Sequence, residues 1–166
     1  MAAKVPTNGL NHGIPFFSDT TNGSIYTHDV SGTDDTAQYN TAFGLVALDA
    51  ITTGDHNTVL GYQAGSAITT GSGNIAIGSF SLDANATADD NTAMGQSALG
   101  QNTTGASNTG LGRSALTANT EGDNNTAIGK DAMIANTTGT RNIAVGALSY
   151  DAADTENDNI AIGYAA

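Results

Sequence analysis

The chain has no cysteine and no tryptophan, two prolines, and only four cationic side chains, Lys4, Arg113, Lys130 and Arg141, in 166 residues. Each shortage excludes something. Without cysteine there is neither a disulfide framework nor a thiolate metal site, so stability must come from packing or assembly, and the redox compartment stays open. Sixteen acidic residues against those four cations leave a formal charge of −12. That balance excludes a nucleic-acid partner held through its phosphates and disfavours an anionic membrane surface. No apolar run approaches the roughly 20 residues of a spanning helix, so membrane insertion is not expected. The start, Met1 to Phe17, carries one lysine and is broken by Pro6, Gly9, Gly13 and Pro15. It does not read as a secretion signal, which needs an unbroken apolar centre.

What the chain has in abundance is a period. A phrase opening on Asn and closing four residues later on Gly recurs eight times at an interval of 17, from Asn40, Asn57, Asn74, Asn91, Asn108, Asn125, Asn142 and Asn159 to Gly44, Gly61, Gly78, Gly95, Gly112, Gly129, Gly146 and Gly163. A short period without insertions is the sign of a solenoid whose coils stack on one another. The expected fold is all-β, a parallel β-roll. Residues 1–39 form a leader outside the period, and residues 40–166 hold seven full repeats and the start of an eighth.

The columns of the repeat carry the physics. Position four holds Phe43, Leu60, Ile77, Met94, Leu111, Ile128, Val145 and Ile162, and position three is nearly always Ala, as at Ala42 and Ala127. Adjacent strand residues face opposite ways, so this strand is apolar on both faces and should be covered on both. A second strand is expected around Ala115-Leu116-Thr117-Ala118 and its equivalents, with an apolar ninth position (Gly65 excepted) and a mostly polar or small tenth. So narrow a coil has nothing of its own to cover the outer face of the first strand. Three copies around a common axis would cover it, so a homotrimer is expected. Ala42, Ala127 and the glycines from Gly44 to Gly163 are then residues of the core or of the trimer contact. A turn with positive φ and a close approach near a symmetry axis both suit those glycines. The recurring Asn reads as a structural ladder, with a second ladder at Asn85, Asn102, Asn119 and Asn136.

The closing loops run Thr-Thr-Gly or a variant, and acids gather there as Asp55, Asp89, Asp90, Asp123 and Asp158. They read as solvated charge that keeps a rod soluble. Their spacing matches neither an EF-hand nor a nonapeptide calcium roll, and His12, His28 and His56 share no ligand spacing. No metal, no cofactor and no catalytic residue is expected. Coils this regular leave no insertion to build a hydrolytic cleft around paired carboxylates. An ice-binding face is disfavoured because Thr103 and Thr104 are adjacent and would point opposite ways on a strand.

The leader favours extended and turned backbone through Val5-Pro6, Ile14-Pro15 and its Gly pairs. Pro15, Phe16, Phe17 and Tyr26 are its candidate anchor residues, and they either plug the open end of the solenoid or dock into another protein. Ser24 to His28, after Asn22-Gly23, reads as a short strand that could be an atypical capping rung. At the other end, the eighth repeat stops at Ala166, before the apolar ninth place. The expectation is that a further segment or another subunit covers that end.

At Asn125-Thr126-Ala127-Ile128-Gly129 with Ala132, and at Asn142-Ile143-Ala144-Val145-Gly146 with Ser149, the chain resembles the head repeats of trimeric autotransporter adhesins. Related repeats occur in bacteriophage tail fibres and other virion appendages. The resemblance covers residues 40–166 and implies a left-handed parallel β-roll that trimerises and serves attachment. The period of 17 is longer than that of the adhesin heads and implies a longer outer loop. Heptads of a stalk and a β-barrel anchor are not seen. The expectation is therefore a non-enzymatic phage tail fibre or head appendage on the virion surface, bound to a tail or capsid protein through its leader and meeting a host surface glycan or protein. The alternative is the head fragment of an adhesin on the bacterial cell surface.

Overall fold

The structure, a computed structural model, describes residues 3–4, 17–19, 24–26, 36–152 and 154–166. Among the described residues eleven strands make one sheet in chain order: β1 (Ala3–Lys4), β2 (Phe17–Asp19), β3 (Ser24–Tyr26), β4 (Thr41–Phe43), β5 (Thr58–Leu60), β6 (Ile75–Ile77), β7 (Thr92–Met94), β8 (Thr109–Leu111), β9 (Thr126–Ile128), β10 (Ile143–Val145) and β11 (Ile160–Ile162). The eight strands β4 to β11 pair in parallel, each residue on its equivalent one repeat away, as in Ala42↔Val59 and Gly110↔Ala127. This is the β-solenoid that the period predicts. At about 4.8 Å per parallel neighbour, its seven intervals span roughly 34 Å.

Each coil has one strand, not two. The stretch expected as the second strand is a pair of successive turns, with Ala98 N donating to Gly95 O and Asn102 N donating to Leu99 O. The reason lies in the backbone. Positions seven and nine take left-handed φ in coil after coil, as at Ser97 (56°), Leu99 (51°), Ser114 (58°) and Leu116 (53°), which no strand accommodates. Adjacent Ala98 and Leu99 are then both fully buried, where strand alternation would have turned one of them out. A left-handed non-Gly residue costs about 1–2 kcal/mol, and burying a leucine side chain returns about 1.5–3 kcal/mol. Burial wins, so leucine persists where glycine would be relaxed. Coil two makes the opposite choice. Gly65 takes φ 53° at position nine, and Ile68 and Val59 close on the space its side chain would occupy.

The interior is a stack of Ala at positions three and eight, Leu or its substitute at nine, and Ile or Asn at twelve. Its polar members, Asn136 Oδ1 excepted, are bonded in a repeating way. At position one, Asn108 Nδ2 donates to Gly122 O of its own coil at 2.7 Å, and its Oδ1 accepts from Asn125 N of the next coil at 2.9 Å. The same pair of bonds runs from Asn40 to Asn142. One side chain thus closes its own coil and staples the next. At position twelve, Asn136 Nδ2 bonds Asn119 Oδ1, and Asn119 Nδ2 bonds Asn102 Oδ1. Asn136 Oδ1 is buried without a partner.

The position-five glycines sit at the corner after the strand with φ between 127° and 148°. A Cβ on Gly112 would lie 2.4 Å from Gly129 O, and one on Gly44 would lie 2.2 Å from Gly61 O. The close approach that fixes glycine here is between successive coils of one chain.

Below the coils, β1, β2 and β3 continue the sheet as an antiparallel set. Phe17 is registered with Tyr26, and β3 then joins β4 in parallel through Ile25↔Thr41 and Tyr26↔Ala42. The short strand expected at Ser24 to His28 is present as Ser24–Tyr26 and forms the rung beneath the first coil.

Candidate assembly surface

Alternation along each three-residue strand puts position three inside and positions two and four outside. Ala42 and Ala127 are buried in their own coil, so of core and inter-chain contact they take the core. Gly44, Gly61, Gly78, Gly95, Gly112, Gly129, Gly146 and Gly163 lie half-buried at the corner beside the strand. The outward column is position four. Leu60, Met94, Leu111 and Ile128 keep 45, 38, 41 and 37 % of their surface exposed, one above the other in register. Beside them, position two is Thr in five coils and Ile in three, with Ile75, Ile143 and Ile160 also exposed. The result is a continuous apolar ridge along the strand face of the rod. Contiguous exposed apolar surface on that scale marks an interaction site more often than a solvated face.

Two corners flank this ridge. On the side after the strand, position six carries Leu45, Tyr62, Ser79, Gln96, Arg113 and Lys130 in ascending order. Arg113 Nη2 and Lys130 Nζ both approach Asp131 Oδ2, at 3.7 and 3.3 Å. Tyr62 meets Phe80 edge-to-face at 5.4 Å. On the side before the strand, positions sixteen and seventeen carry Tyr39, His56, Asp89, Asp90, Asp123 and Asn124. Tyr39 and His56 stack at 4.9 Å. His12 and His28 lie outside the described residues.

The acidic loops do more than solvate. Asp55, Asp89 and Asp123 occupy alternate rungs of position sixteen, and each Oδ1 accepts a backbone N–H from the rung below, those of Gln38, Ser72 and Ala106, at 2.7 Å. Ser72 Oγ and Asn157 Oδ1 do the same for Asp55 and Thr140. Placing carboxylates on every other rung keeps like charges two coils apart while supplying an acceptor. Threonine is likewise internal. Thr52, Thr69, Thr103 and Thr120 donate Oγ1 to the carbonyl of the same position one coil on. These hydroxyls are spent on the chain itself. Among the described residues, no group of three or more His, Asp or Glu is placed to hold a metal ion.

On the turning side, opposite the ridge, Gly100 leaves a gap in the tenth column. The resulting open cleft is lined by Phe80, Asp83, Ser97, Gln101 and Thr117. Partial burial pushes the Asp83 carboxyl above the usual carboxylate range, against the lowering effect of a backbone hydrogen bond. Near the top, Arg141 Nε and Nη2 grip both oxygens of Asp158, at 2.6 and 2.9 Å. That pairing, chiefly the hydrogen bond, raises the arginine and lowers the aspartate.

Of the anchor candidates, Pro15 and Phe16 lie outside the described residues, while Phe17 and Tyr26 are paired positions of β2 and β3 at the base of the sheet. Sequence reasoning found a strand apolar on both faces but neither which face turns outward nor the corners, because both depend on where the chain turns. The alternation of Asp55, Asp89 and Asp123 was a readable signal at twice the period. Comparison with protein families, with characterised proteins and with solved structures returned no match.

Proposed function

We propose that the chain is a non-enzymatic structural protein, the subunit of a homotrimeric attachment fibre. The observation that carries this is the ridge. An outward apolar column repeated on every strand of a rod is satisfied by copies of the same rod, since only they present the same spacing along the whole length. The likeness of the repeats to adhesin heads and phage fibres gives the assembly its purpose, contact with a host surface glycan or protein. We place it on a virion, a tail fibre or head appendage, with residues 1–39 joining it to a tail or capsid protein. Continuity of β1 to β3 with the first coil supports this, because a load on the leader would pass directly into the sheet.

The test is incorporation. Particles from a host expressing the chain are purified and probed with antibody against residues 40–166, alongside a variant lacking residues 1–17. The expected result is labelled particles with the full chain and a folded, unincorporated rod with the shortened one. Normal incorporation of the shortened chain would move the anchor elsewhere. Labelling of bacterial cells in the absence of particles would favour the adhesin head.

A further inference from the structure

The sequence holds five Asn-x-Ser/Thr triplets, the acceptor motif of asparagine-linked glycosylation: Asn22-Gly23-Ser24, Asn85-Ala86-Thr87, Asn102-Thr103-Thr104, Asn124-Asn125-Thr126 and Asn136-Thr137-Thr138. Such a motif ordinarily marks a surface loop. Here the coil sorts the motifs into two kinds. Asn85, Asn102 and Asn136 belong to the twelfth-position ladder and are fully buried. The amide nitrogens that would receive a sugar are already spent. Asn85 Nδ2 donates to Ala88 O at 3.1 Å, Asn102 Nδ2 to Gly105 O at 2.8 Å, and Asn136 Nδ2 both to Asn119 Oδ1 at 2.9 Å and to Gly139 O at 3.2 Å. There is also no space beside them: even a Cβ added at Gly105 or Gly139 would collide with Oδ1 of Asn102 or Asn136. Asn124 is different. It stands outside both ladders, at the corner before β9, and is exposed, with its backbone N donating to Ala106 O at 3.1 Å. Asn22 lies outside the described residues.

We infer that Asn124 is a glycan-acceptor site open in the folded rod, whereas a glycan on Asn85, Asn102 or Asn136 and the stacked coil exclude one another. The transfer forms a bond from Nδ2 to the first carbon of an oligosaccharide, breaks that carbon's bond to the lipid pyrophosphate that carries it, and releases one amide proton. At Asn124 the new group projects into water. At the other three it would take an N–H from the ladder and drive a sugar ring into a close-packed interior, which tolerates not even a few extra methylenes without strain. A chain that accepts sugar there before its coils stack cannot close them afterwards. A functional rod is therefore made where oligosaccharide transfer to these three motifs does not occur. This rests on the fold alone and not on the trimer. The third residue of each closed motif, Thr87, Thr104 or Thr138, is exposed, and the internal hydroxyl ladder uses the residue before it, as at Thr103. Replacing that third residue removes the motif and spares the Asn ladder.

The test expresses the full chain behind a removable secretion signal in cells that carry out this modification, and without it in a bacterial cytoplasm. By site-resolved mass, secreted chains that resist protease should carry a glycan at Asn124 and none at Asn85, Asn102 or Asn136. Retained, aggregated chains should carry glycans at those three. Thr87→Ala, Thr104→Ala and Thr138→Ala together should raise the secreted, resistant yield severalfold, and should match the parent by circular dichroism when both come from the bacterial cytoplasm. The site map of the parent chain is decisive without any variant. A protease-resistant rod bearing a glycan at any of the three buried asparagines overturns the exclusion. A triple variant that folds in the bacterial cytoplasm, aggregates on secretion and recovers with Asn124→Gln overturns the open site. Either result leaves the fibre reading standing.

Discussion

The strand half and the turning half of each coil carry nearly the same sequence pattern and adopt different backbones. Both set a small residue beside a large apolar one: Ala127 with Ile128 in the first, Ala132 with Met133 in the second. In the strand half the small residue goes in and the large one out. In the turning half both go in, because Asp131 and Met133 take φ of 58° and 51° and curl the chain around the core. The same two letters therefore mean a core contact on one side of the rod and, on the other, an outward ridge that needs a partner. What separates them is the glycine at position five. It turns the chain at a corner where the next coil's carbonyl leaves no room for a side chain.

That comparison can be broken most severely at the corner itself. Gly112→Val should cost about 4 kcal/mol or more, from overpacking against the Gly129 carbonyl together with a strained φ, measured by urea unfolding. Gly163→Ala, where the nearest atom to the new Cβ would be 3.6 Å away, should cost far less although its φ is also positive. Equal losses would show that φ alone, and not the neighbouring coil, selects glycine.

The next effect separates the two apolar columns. Leu99→Ala, deep in the turning half, should lower the stability of the coil by about 2–5 kcal/mol. Leu111→Lys, on the ridge, should leave the secondary structure of the single chain intact by circular dichroism while abolishing assembly, because an unpaired charge would be buried only in the oligomer.

The ladders give a smaller contrast. Asn108→Ala removes the acceptor of Asn125 N and the donor to Gly122 O, both buried, and should cost about 2–3 kcal/mol. Asn136→Ala also removes two bonds, but it relieves the buried Oδ1 that lacks a partner. It should cost less, in the same unfolding assay.

The smallest effect concerns Asp83. Its folded pKa is raised by burial, so folding is unpenalised below the unfolded carboxylate pKa, and the penalty grows as pH rises through the folded value. Asp83→Asn should therefore raise the melting temperature slightly at neutral pH and not at strongly acidic pH. A variant that melts lower at neutral pH would mean that the carboxylate is favourably held in the cleft.

Much of this was legible in the columns. The period gave the rod, and the columns gave the Asn ladder and a strand apolar on both faces, because each is a direct consequence of stacking; which face turned inward was not legible, and position three, expected in the core or at the trimer contact, lies in the core. The second strand was misread because Ala115-Leu116-Thr117-Ala118 has the composition of a strand. Nothing in leucine's side chain announces a left-handed backbone; that conformation is imposed by the need to close a narrow coil around it. The roles of Asp55, Asp89 and Asp123 were hidden for a similar reason. An exposed-looking acid became an acceptor for the coil below only once the loops were stacked.

The central claim is that the ridge is an inter-chain surface, and sedimentation of the purified chain addresses it without any variant. Each chain has a mass of 16.6 kDa. A single species at three times that mass, persisting on dilution and lost in Leu111→Lys, is the predicted result. A stable, soluble species at 16.6 kDa with the ridge open to water would contradict it.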